Sequence, residues 1–193
     1  MPAIDSHADV IHPLDDPDSK FADAVVMPFK GAVADQLAGR TVGHETHTFG
    51  DGGSVRVNYS YNDRGRGSDI QGRYVFDRDG MPVVIELTGQ DYNHAAIDER
   101  FTKRDGATQW RSRAESDESK TGGWYVAANG PPAQTAWLAQ AMLRSRKPSM
   151  HLLPAGEATL ERGPSVELKG RRVTMYSVGG LDFTPFGRGE KGR

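Results

Sequence analysis

The chain of 193 residues contains no cysteine. Disulfide staples, thiolate-held zinc and thiol nucleophiles are therefore excluded. It has little charge imbalance, with 24 basic against 26 acidic side chains. A nucleic acid or an anionic lipid surface as principal partner would call for a basic excess, so neither is expected. Long hydrophobic runs are lacking too. No stretch approaches the roughly 20 apolar residues that span a bilayer, and the N-terminus turns acidic within a few residues without a basic and then apolar leader. The expectation is a soluble chain with no signal peptide and no transmembrane segment. No Gly-x-Ser-x-Gly elbow occurs, so a serine hydrolase has no support.

What is present is turn chemistry. The 23 glycines and 11 prolines, with an apolar fraction of 36%, suit a turn-rich β domain with one solvated side. Asp-Gly steps recur at Asp51-Gly52, Asp79-Gly80 and Asp105-Gly106, each between runs of β-branched and aromatic residues. Asp-Gly tolerates the positive φ angles of tight hairpin turns. Val55, Val57, Tyr59 and Tyr61 alternate with Arg56, Asn58 and Ser60, the period of a half-buried strand. Further strands are expected at 73–77, 83–88, 99–103, 108–114, 124–127, 150–153, 158–162, 166–169 and 173–178, and a mobile polar loop at 115–123.

One helix is expected over 131–144. Pro131 and Pro132 suit its first turn, where missing N–H groups cost least, and Trp137, Leu138, Ala141 and Met142 form its apolar stripe. The fold class that follows is mainly β: a curved antiparallel meander, a half-barrel packed around one central helix. Residues 1–38 read as an irregular arm, 39–186 as the domain, and 187–193 as a disordered tail.

Several residues could carry chemistry. Arg64 and Arg66, in the run Asn62-Asp63-Arg64-Gly65-Arg66-Gly67, could hold a carboxylate, or could pair with nearby acids in a turn. Tyr59, Tyr61, Trp137 and Met142 would line a groove between sheet and helix, or pack as plain core. His94, Asp98, Glu99 and His151 are the candidate general bases of a hydrolytic reading. Neighbours in a strand point to opposite faces, so Asp98 and Glu99 are not expected to share one ligand. Asp63, Asp69 and Asp91 offer oxygen donors for a divalent cation such as calcium, and a hydrolase reading would admit zinc. His44 and His47, three apart on a strand, do not converge on one ion. The segment His7-Ala8-Asp9, preceded by Ile4-Asp5, pairs a histidine with an acid as metal-dependent hydrolases do.

The stretch from Gly43 to Pro185 resembles a β domain found at the N-terminus of some exported bacterial amidohydrolase-family proteins, ahead of their catalytic barrel. The resemblance rests on Asn62 to Gly67, the Asp79-Gly80-Met81-Pro82 turn, Asp98-Glu99-Arg100-Phe101, Leu152 to Glu157, and Tyr176 to Leu181. It implies an accessory domain without the metal-binding barrel, and a periplasmic relative. Two functions stay open. One is a module binding a hydrophobic or acyl-bearing small molecule. The other is a small, possibly metal-dependent hydrolase of an ester, amide or lactone.

Overall fold

The computed structural model describes residues 43–62, 65–168 and 170–181. The expected arm at 1–38, the tail at 187–193, and Asp63 and Arg64 lie outside the described residues.

Seven strands form a meander in which each pairs antiparallel with the next: β1 Gly43–Phe49, β2 Ser54–Tyr61, β3 Asp69–Phe76, β4 Pro82–Gln90, β5 Ala96–Arg104, β6 Ala107–Arg111 and β7 Ser116–Ser119. The Asp-Gly steps make the expected reversals. At the β5–β6 turn both Asp105 (φ 52°) and Gly106 (φ 81°) adopt the left-handed conformation, the geometry whose twist matches a right-twisted hairpin. The Asp51-Gly52 step forms a single 3-10 turn between β1 and β2. The segment expected as a mobile loop holds β7 instead. Its sequence Ser-Asp-Glu-Ser has no apolar residue, so pairing with β6 through the backbone decides its state.

Helix α1, Ala133–Ser145, follows a short strand β8, Trp124–Tyr125. It ends where Arg146 turns left-handed (φ 54°) ahead of Pro148. The chain then builds a second sheet in the order β11-β10-β9-β8, with β9 at Ser149–Leu153, β10 at Glu157–Leu168 and β11 at Arg171–Gly179. Strands β8 and β9 run parallel, the one departure from an antiparallel plan among the described residues. The two strands expected at 158–162 and 166–169 are one, continued through an irregularity between Arg162 and Ser165.

The sheet curves around α1 as a half-barrel. Register explains the core. Val55, Tyr74, Ile85, Phe101 and Trp110 are cross-strand partners in succession, and all five are buried. Against this row lie Ala133, Trp137, Leu138, Ala141 and Met142 of α1, and Trp124, Tyr125, Leu152 and Leu153 close the other side. The Trp137 indole packs on the concave face of the sheet against β3 and β1, the two neighbours of β2. Its ring centroid is 4.9 Å from Tyr74, 5.4 Å from Phe76 and 5.4 Å from His47.

Candidate functional site

The interior is where a ligand groove between sheet and helix would lie. Tyr59, Ile85, Leu87, Trp137 and Met142 occupy it as packed core, each with at most 9% of its surface exposed. Burial, reinforced by the Glu45 and Tyr61 charges, pushes the Tyr59 phenol up to about 12.

A carboxylate, that of Glu99, reaches this interior from β5. Glu99 sits at the inward parity of β5, between Ile97 and Phe101, and is 2% exposed. Its Oε1 accepts the Tyr125 hydroxyl at 2.8 Å and the Ala128 N–H at 2.9 Å, and its Oε2 accepts the Asn129 N–H at 3.2 Å. Burial, then the neighbouring Glu99 charge, drives the Tyr125 phenol well above its ordinary range. Gln134 completes the clamp. Its amide oxygen accepts the Ala127 N–H and its amide N–H donates to the Ala127 carbonyl, both at 3.1 Å. The expected general base therefore spends its lone pairs on tying the 125–129 segment to β5. Its neighbour Asp98 points outward and pairs with Arg111 at 2.9 Å, the opposite-face placement that alternation requires.

The remaining candidates gather elsewhere, at the sheet end where the β2–β3 and β4–β5 connections meet. The Gly67 N–H donates to the Tyr92 carbonyl at 3.2 Å, and the His94 Nε2–H donates to the Gly65 carbonyl at 2.9 Å. His94 holds a left-handed backbone (φ 63°) to reach it. The Asp91 Oδ1 accepts the Asn93 and Ala95 N–H groups at 2.8 and 2.9 Å, so this carboxylate shapes the turn. Two glycines allow the close approach: a Cβ on Gly67 would strike the Tyr61 carbonyl, and one on Gly89 the Asp69 carbonyl. Arg66 is exposed on this junction. The half-buried Tyr61 ring packs 6.4 Å from the 40%-exposed Tyr92 ring.

The structure thus brings Tyr61, Arg66, Asp69, Asp91 and His94 to one end of the sheet and leaves Asp98, Glu99 and His151 away from it. His151 is exposed on β9. His44 and His47 point to opposite sides of β1, with His47 Nε2 bonded to Glu45 Oε1 at 2.8 Å. Among the described residues no group of three or more His, Asp or Glu side chains is placed to hold a metal ion. Nor, among them, is any helix long and apolar enough to cross a membrane. Tyr92 was not singled out in the sequence. It stands in a polar turn without periodicity, and only the pairing of the two connections brings it to Tyr61. Compared with protein-family models, curated proteins and solved structures, the chain matches none.

Proposed function

We propose that the chain is a binding module whose ligand, an acyl-bearing or otherwise amphipathic small molecule with an anionic head, is taken at the junction of the β2–β3 and β4–β5 connections. The observation that carries this reading is the juxtaposition of an exposed guanidinium, Arg66, with the Tyr61–Tyr92 ring pair on a backbone-zipped loop junction. A guanidinium gives a carboxylate two parallel donors, and the phenol rings offer an apolar face with a polar tip. The likeness of the turns to the β domain of amidohydrolase-family proteins accords with an accessory rather than a catalytic role, as does the consumption of the Glu99 carboxylate by the 125–129 segment.

The test compares binding of decanoate and decanol by calorimetry. Arg66→Ala should weaken decanoate about tenfold, equivalent to roughly 1.4 kcal/mol, and leave decanol unchanged. Tyr92→Ala should weaken both. Equal decanoate affinity in wild type and Arg66→Ala overturns the proposal. Turnover of an acyl lactone or nitrophenyl ester would replace it with the hydrolytic reading.

A further inference from the structure

The large sheet has two edges, and they differ. Among the described residues β1 and β7 each pair on one side only. Strand β7, Ser-Asp-Glu-Ser, sets Asp117 and Glu118 on its edge, and charge there guards against edge-to-edge pairing. Strand β1, Gly-His-Glu-Thr-His-Thr-Phe, holds a single acid, and Phe49 at its end is 45% exposed.

Backbone alternation tells which groups of β1 face outward. The Tyr61 N–H donates to the Ser68 carbonyl, on the β3 side, and the Ser54 carbonyl accepts the Gly50 N–H on the β1 side. Ser60, Asn58 and Arg56 therefore turn toward β1, where their partners are His44, Thr46 and Thr48. The N–H and C=O groups of Gly43, Glu45, His47 and Phe49 are left pointing out of the edge. The side chains of these four lie on the concave face, where the His47 ring packs 5.4 Å from Trp137 and 6.3 Å from Phe49. His44, Thr46 and Thr48 are exposed on the outer face.

We propose that β1 pairs antiparallel with β1 of a second copy, about a twofold axis at Thr46, and joins two sheets into one. Outward-pointing groups must meet outward-pointing groups, so the axis passes through a residue position. At Glu45 it would oppose two carboxylates. At His47 it would oppose two imidazoles and set Glu45 against no residue of opposite charge. At Thr46 all seven residues of the strand pair, closing about eight backbone hydrogen bonds. Glu45 then faces the partner's His47, Thr46 faces the partner's Thr46, and His44 faces the partner's Thr48. Opposite charges and threonines are favourable cross-strand pairs. The partner's Phe49 covers Gly43, the aromatic-over-glycine pairing that compensates a missing side chain, and comes beside Tyr61, which Gly43 faces within the chain. Glu45 Oε1 is bonded to its own His47 at 2.8 Å, while Oε2 is bonded to no described residue. The carboxylate thus keeps an acceptor for the partner's imidazole. A peptide of unrelated sequence could take the same backbone groups, but the charge match singles out a copy of β1.

The chain has no cysteine, so single thiols report the register. Thr46 and its copy form a non-hydrogen-bonded pair with Cα atoms about 4.5 Å apart, within the span of a disulfide. The wild type should sediment as a dimer at micromolar concentration. Thr46→Cys should become a covalent dimer on mild oxidation. His44→Cys and Thr48→Cys should each stay uncrosslinked alone and should join to one another when mixed. His47→Glu, which turns both charge pairs into facing carboxylates, should weaken the dimer about tenfold or more. If His47→Glu does not fold, the cysteine series decides alone. A wild type that sediments as a monomer overturns the proposal. So does a dimer in which Thr46→Cys fails to crosslink, or in which all three single-cysteine variants crosslink alike. Equal dimer affinity in a folded His47→Glu overturns it as well.

Discussion

Two rows of side chains, one residue apart on the same five strands, face opposite ways with opposite chemistry. The inner row, Val55-Tyr74-Ile85-Phe101-Trp110, is closed against α1; the outer row, Arg56-Arg73-Glu86-Arg100-Arg111, stands in solvent. Because strand alternation has a period of two, one register fixes both rows at once. The inner row is dictated by the need to bury apolar surface. The outer row is free of that need, and its charges pair in solvent, Glu86 with Arg73 and Arg100 and Asp98 with Arg111. The same contrast separates Glu99, an acid at an inward position that serves as a structural clamp, from Arg66 and Tyr92, which stand at the rim.

The largest effect that would break this division is at the helix. Trp137→Ala should lose about 3–5 kcal/mol in urea unfolding, the range for a buried aromatic. A melting temperature within a degree or two of wild type would make α1 peripheral. Next, Glu99→Ala should cost about 2–4 kcal/mol, since it leaves a buried hydroxyl and two backbone N–H groups without their acceptor. Hydrogen exchange at Ala128 and Asn129 should quicken in that variant, and unchanged exchange there would free Glu99 for another role.

Alkali sharpens the comparison further. The Tyr59 phenol is held neutral in the fold, up to about 12 against an ordinary value of 10.0. The unfolded chain ionises first, so the stability this group contributes is fully present below about pH 10 and is lost as pH rises towards about 12. Tyr59→Phe should flatten the fall in stability across that window, and an unaltered slope would show that its phenol does not titrate with unfolding. The smallest effect concerns Tyr74, whose buried hydroxyl has no hydrogen-bond partner among the described residues. Tyr74→Phe removes an unpaired polar atom while keeping the ring, so stability should hold or rise by up to about 1 kcal/mol. A loss above that would reveal a bond to the hydroxyl.

The inner row was legible in the sequence. Val55, Val57 and Tyr59 alternate cleanly with polar residues, the Asp-Gly steps marked the reversals, and the stripe from Trp137 to Met142 marked the helix. Glu99 could be placed inward by parity from Ile97 and Phe101, although its partners Tyr125, Ala128 and Asn129 are distant in sequence. What was hidden depends on pairing between remote segments. The contact of Trp137 with Tyr74 follows from tertiary packing, and β7 from backbone bonds that its polar sequence does not announce. The meeting of Tyr61 with Tyr92 required the two connections to be joined. The arginine row appears only once five registers are known, because its members are scattered from residue 56 to residue 111 at uneven intervals.

The account's central claim is that the inner row makes the fold and the outer row does not. Replacing Arg56, Arg73, Arg100 and Arg111 together by glutamine, and comparing urea unfolding with that of the single change Ile85→Ala, tests it most directly. The fourfold variant should stay within about 1 kcal/mol of wild type, since exposed ion pairs contribute little and two like-charge contacts are relieved. Ile85→Ala alone should lose about 2–5 kcal/mol. A fourfold variant as unstable as Ile85→Ala would contradict the claim and make the arginine row part of what holds the sheet together.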